Sequence, residues 1–173
     1  PDNEEEKKLR IEGGGDATLP ILWVNGSNDF AYPMDSWQKS YRRARGSRTL
    51  CLRVRMPHAH GGAGENPAEI LAFANRLFNH GVPLSKVTRQ GSEGNEVWAK
   101  YESKTPVIKA ELNFTTVTGK WQDRKWETIP ATLDAAQRRV NATLPAGTKV
   151  YYLNLIDKLD LVVSTEHVEL SEK

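Results

Sequence analysis

One carboxylate and two imidazoles have the types and spacing for chemistry. Asp29 closes Asn25-Gly26-Ser27-Asn28-Asp29, and His58 and His60 lie in Pro57-His58-Ala59-His60-Gly61. Each piece follows a run with the pattern of a strand. A carboxylate that accepts a hydrogen bond from histidine Nδ1–H fixes the ring tautomer and stabilises the imidazolium, so that Nε2 can take up and return a proton. Adjacent strand ends lie about 5 Å apart, close enough for the loops leaving them to bring such groups together. His60 is favoured as the base, because Gly61-Gly62 lets its loop approach a reactant closely. His58, after Pro57, is expected to pack or hydrogen-bond beside the site.

Plainer readings stand beside this one. An N-G-S-N-D cluster after a strand is a ready turn, since these side chains satisfy local backbone groups. Either histidine could be an ordinary loop residue. As an H-x-H metal site the pair would need a third protein ligand, and no Cys, His or Glu cluster offers one at a familiar spacing. Asp35, the rival acid, sits where a helix N-cap would be.

The elements around these residues follow from periodicity. Leu19 to Val24 is almost wholly apolar, the composition of a strand buried on both faces. Thr49 to Met56 alternates, with Leu50, Leu52, Val54 and Met56 on one side and Cys51, Arg53 and Arg55 on a side facing solvent or a sheet edge. Between them, Trp37, Tyr41 and Ala44 recur at helical spacing, and Gly46 stands where a helix would stop. Strand, acid, helix, strand, histidine reads as the second half of a doubly wound α/β sheet, in which ligands collect at the carboxyl ends of the strands. Asn66-Pro67-Ala68-Glu69 opens a further helix, with Asn66 capping and Glu69 reaching back. Its stripe from Ile70 to Phe78, ended by Gly81, is expected to cover the sheet.

The run PILWVNGSNDFAYP, a helix, and then RTLCLRVRMPHAHGG resembles the last two strands of an α/β-hydrolase. It is most similar to esterases of the acetylxylan-esterase and dienelactone-hydrolase kind. The resemblance covers roughly Leu19 to Gly81 and implies that Asp29 is the acid and His60 the base of a Ser-His-Asp triad. It also implies small acyl esters or acetylated polysaccharide as substrate, no cofactor, and a secreted or periplasmic compartment. The departure is the nucleophile: no G-x-S-x-G occurs, and Gln90-Gly91-Ser92-Glu93-Gly94 lies after the histidine and reads as a polar turn. The expectation is therefore the carboxyl-terminal half of a hydrolase, inactive alone, with its serine on a segment absent from this chain. The rival expectation is a non-catalytic carbohydrate- or protein-binding module built on a hydrolase remnant.

Beyond Val82-Pro83 the helical period gives way to short alternating runs at Glu96–Glu102, Val107–Thr115, Arg138–Leu144, Val150–Ile156 and Leu161–Glu166. Together they predict a small β-sandwich, immunoglobulin-like in architecture. In Val107–Thr115 the residues Ile108, Ala110, Leu112 and Phe114 should point inward. Trp98, Trp121, Trp126, Tyr151 and Tyr152 could offer a sugar-stacking face, although packing is the commoner use of such residues. The domains so read are a polar segment or linker over 1–18, the hydrolase part over 19–81 and the β-sandwich over 84–170. The expected fold class is α/β, the C-terminal half of an α/β-hydrolase sheet plus a small all-β domain.

Composition narrows the partners. A net charge of +2 in 173 residues, with no basic stripe along the sequence, offers no reason to expect nucleic acid, and no apolar run is long enough to cross a bilayer. The lone Cys51 excludes an internal disulfide and reads as a quiet thiol. The uncovered strand Leu19–Val24 should pair with the nucleophile-bearing half or with a second copy of the chain.

Overall fold

Val150–Asp157 reads VYYLNLID, and all eight of its residues are buried. Such a run needs cover on both faces, and the molecule is layered to provide it. A computed structural model of the chain describes residues 18–58 and 66–170. In chain order its elements are β1 (Ile21–Gly26), α1 (Met34–Arg43), β2 (Arg48–Arg53), α2 (Ala68–Asn79), β3 (Lys86–Glu93), β4 (Glu96–Glu102), β5 (Val107–Thr115), a single 3-10 turn (Trp121–Asp123), β6 (Glu127–Pro130), β7 (Thr132–Asp134), β8 (Arg139–Thr143), β9 (Val150–Asp157), β10 (Val162–Ser164) and β11 (Val168–Glu169).

One antiparallel sheet runs β3-β4-β8-β7, and a second runs β10-β9-β5-β6 with β11 also on β9. Tyr151, Leu153 and Leu155 of β9 and Ala110, Leu112 and Phe114 of β5 share a core with Val97 and Val140 of the other sheet. The opposite face of β9 carries Val150 and Tyr152, which pack with Met34, Trp37 and Tyr41 of α1 and with Leu50 and Leu52 of β2. The third layer, β1 and β2 with α1, thus lies against the antiparallel sheet. Trp121, Trp126, Tyr151 and Tyr152 are all buried in these cores, so their use is packing.

The expected α/β class is overturned. Strand accounts for 42% of the described residues and helix for 17%, and the strands lie mostly in antiparallel sheets. Among the described residues β1 and β2 form the one parallel pair. The physical reason lies at the far edge of β2. There the Leu52 N–H donates to Ser164 Oγ at 2.8 Å and Asn154 Nδ2 donates to the Leu52 carbonyl at 3.2 Å. Side chains of β10 and β9 thus take hydrogen bonds that a further parallel strand would have made, so the sheet gains no strand beyond β2.

Several local expectations change with the layering. Cys51 is fully buried, and Arg53 meets Glu69, so the supposed solvent face of β2 is covered. Glu69 does not close a capping box, because Pro67 takes the N-cap position and no side-chain cap forms. Helix α2 does not cover a sheet: Glu69 is its only buried residue, and Phe78 is 80% exposed. Gln90 to Glu93 lie within β3. A Cβ at Gly91 would stand 2.7 Å from the Trp98 ring, so this glycine admits the tryptophan of the neighbouring strand. In β5 a register shift between Val107 and Lys109 turns Val107 inward and leaves Ile108 63% exposed. An added residue of this kind reverses which face the preceding side chain occupies.

Candidate functional site

The site is built where the ends of β1 and β2 nearly touch. A Cβ on Gly26 would stand 2.1 Å from the Met56 carbonyl oxygen, so only glycine lets the chain after β2 cross here. Arg55 makes that crossing in the left-handed region, at φ 54°. Its N–H donates to Ser27 Oγ at 3.0 Å, and the Ser27 N–H donates to the Arg53 carbonyl at 3.0 Å. These contacts carry His58 to the loop that follows β1.

The Asp29 carboxylate divides its two oxygens between two tasks. Oδ1 accepts the backbone N–H groups of Ala31 and Tyr32, both at 2.8 Å. Oδ2 lies 2.9 Å from His58 Nδ1. The turn role and the partnership with histidine therefore coexist in one residue. Holding Oδ1 by two amides fixes the plane of the carboxylate, and that plane aims Oδ2 at the ring. Asp29 itself is buried, whereas the His58 side chain keeps 28% of its surface exposed. A buried acid behind a half-exposed imidazole is the order that proton transfer to a bound group requires.

Of the residues expected at the site, Asp29 lies at the carboxyl end of β1 and faces a histidine. His60 lies outside the described residues. The imidazole on the carboxylate is that of His58, which the sequence suggested only as a neighbour. Asp35 is in the first turn of α1 and pairs with Lys39 at 3.3 Å, away from this contact.

Three residues of the site have contacts that the sequence did not foretell. Asn28 Nδ2 donates to the carbonyls of Trp121, Gln122 and Arg124 at 3.2, 3.0 and 2.8 Å, clamping the loop to the 3-10 turn. Those partners stand more than ninety residues away in sequence, beyond the reach of any local motif. Phe30 and Tyr32 approach the His58 ring with centroids at 5.3 and 5.7 Å, and both are exposed. They supply apolar surface beside the imidazole.

Cys51 sits below this site on β2 and takes no part in it. Burial, and then the nearby Glu69, push its thiol up to about 12, which leaves it protonated and unreactive at neutral pH. No protein-family model and no curated protein matches this chain.

Proposed function

We propose that the chain supplies the acid and the base of a serine ester hydrolase, with the nucleophile carried by another polypeptide segment. The observation that supports this is the 2.9 Å contact between Asp29 Oδ2 and His58 Nδ1 at adjacent ends of a parallel strand pair. In this mechanism His58 Nε2 removes the proton from the incoming serine hydroxyl as that oxygen attacks the ester carbonyl. Asp29 stabilises the imidazolium that forms. The imidazolium then protonates the departing alcohol, and the same base activates a water to release the acid from the acyl-enzyme. The choice of acetyl or similar small acyl esters, including those of polysaccharide, rests on the resemblance of Leu19–Gly81 alone. His58 takes the role first given to His60, because it is the imidazole on the carboxylate.

Ring-nitrogen NMR on histidine-labelled protein tests the assignment. Neutral His58 is expected to carry its proton on Nδ1. In Asp29→Asn the Oδ1 turn contacts can persist while an amide N–H faces the ring, so the proton should move to Nε2. A wild-type ring protonated on Nε2 could not act as the base and would overturn the reading. Hydrolysis of p-nitrophenyl acetate by the isolated chain should not exceed that of free imidazole. Turnover that survives purification and is lost in His58→Gln would place the nucleophile within the 173 residues.

The segment bearing the serine is assigned to the side of β1 that, among the described residues, pairs with no strand. Ile21 and Ser27 direct their N–H groups at the β2 side, so alternation turns the Leu22 and Val24 amides towards the opposite edge. Beside that edge, β1 and the exposed stripe of α2 line an apolar groove of about 650 Å³ that includes Trp23, Phe73 and Phe78. Unpaired edges beside apolar surface recruit strands. Size-exclusion chromatography with light scattering should therefore find the isolated chain heavier than its 19.4 kDa monomer. A clean monomer at tens of micromolar would argue against this docking edge.

A further inference from the structure

We propose that the cleft at the amino-terminal end of β2, between the β1–β2 layer and the β3–β4 hairpin, binds a linear polysaccharide with regularly spaced carboxylates. The cleft comprises two adjoining cavities of about 320 and 470 Å³ that share Arg48, Thr49, Ser85 and Lys86. Both volumes fall within the range of about 300–1,000 Å³ common for ligand sites. It lies at the opposite end of β2 from His58 and does not depend on the hydrolase reading.

Charge is the first argument. Six cations line the cleft, Arg48, Arg76, Lys86, Arg89, Lys104 and Arg138, against the acids Glu102 and Glu166. The whole chain has a net charge of only +2, so the local excess is a feature of placement. Glu166 is already engaged by Arg42 at 2.5 Å and Arg48 at 2.7 Å. Arg76, Lys86, Arg89, Lys104 and Arg138 are exposed and make no ion pair among the described residues. Like charges drawn around one concavity focus an attractive field on an anion.

The lining narrows the kind of anion. The five unpaired cations stand on α2, β3, the turn after β4 and the turn before β8, so they suit separated charges rather than one compact phosphate. Three of them are arginines, whose planar fork fits a carboxylate. Hydroxyl groups of Ser47 and Thr49 also line the cleft, suited to sugar hydroxyls, while those of Ser85 and Ser103 are bonded to each other. Among the described residues Phe73 is the only aromatic one of the lining. Single-stranded nucleic acid is held by rows of stacked aromatics, so the lining favours a glycan.

Calorimetric titration with tetragalacturonate at 50 mM NaCl is the test. Saturable one-to-one binding is expected, weakening roughly tenfold or more at 500 mM NaCl as screening shortens the field. Lys86→Glu with Arg138→Glu, both on the surface, should weaken binding at least about tenfold by reversing two of the charges. Lys104→Glu alone should weaken it less, which keeps the test valid if the double variant misfolds. Neutral xylotetraose should not bind. Absence of binding by tetragalacturonate, equal binding by the charge-reversed variants, or tighter binding of a thymidine 15-mer would overturn the proposal.

Discussion

Arg53→Ala is expected to lower the stability of the fold by about 3 kcal/mol, measured by urea unfolding at pH 7. The Glu69 side chain is fully buried, with Oε1 2.5 Å from Arg53 Nη2 and 2.6 Å from the Val162 N–H. One carboxylate thus ties α2 to β2 and to β10. Without the guanidinium, a buried negative charge would retain a single amide as its partner. Breaking a buried pair by removing one member costs ~3–5 kcal/mol, and the lower end applies because Arg53 keeps about a third of its surface in water. Arg53→Met combined with Glu69→Leu should recover most of that loss, since an apolar pair of similar volume carries no desolvation cost. A loss below about 1 kcal/mol in Arg53→Ala would show that water reaches Glu69 and that the clamp is weak.

How far this could be read in the sequence depends on what carries the signal. Asp29 was legible because a strand end and a turn-forming cluster are both local patterns. The identity of its histidine was not. It depends on how the chain crosses Gly26 at Met56 and on the left-handed Arg55, and neither leaves a periodic trace. β4 and β5 have the bounds that their alternation gave, and Ala110, Leu112 and Phe114 point inward as expected, whereas a bulge before Lys109 turned Ile108 outward. The larger error concerned layers. The βαβ pattern from Leu19 to Met56 is real as far as it goes, with one parallel pair and one connecting helix. Periodicity does not say how many strands a sheet will hold. On the β2 side that was decided by Ser164 and Asn154, polar residues more than a hundred positions away, which close its edge. Glu69 was misread for a related reason. A capping box and a buried ion pair look alike in sequence, and only the proximity of Arg53 separates them.

Acidification from pH 6.5 to 4 is expected to remove about 3 kcal/mol of stability through His167 alone. Its side chain is fully buried between the Trp121 ring, whose centroid is 5.5 Å away, and the layer of α1, where Gln38 Nε2 donates to its backbone carbonyl at 2.9 Å. Neither ring nitrogen has a hydrogen-bond partner among the described residues. Glu169 Oε1, at 3.9 Å from Nε2, is too far to supply one. Burial, reinforced by the positive charges of Arg42 and Arg124 and opposed by Asp35, lowers the imidazole from its ordinary 6.5 to about 4. The folded protein therefore holds the ring neutral where the unfolded chain would protonate it. Its contribution is fully present above pH 6.5, falls as protons bind preferentially to the unfolded state, and is spent once the pH drops below about 4. His167→Phe keeps a ring against Trp121 and removes the proton site. Unfolding free energies of the two proteins, measured at intervals from pH 7.5 to 4, should converge or cross by about 3 kcal/mol towards the variant. Parallel pH profiles would mean that His167 is protonated equally in both states, which its burial beside two arginines should prevent.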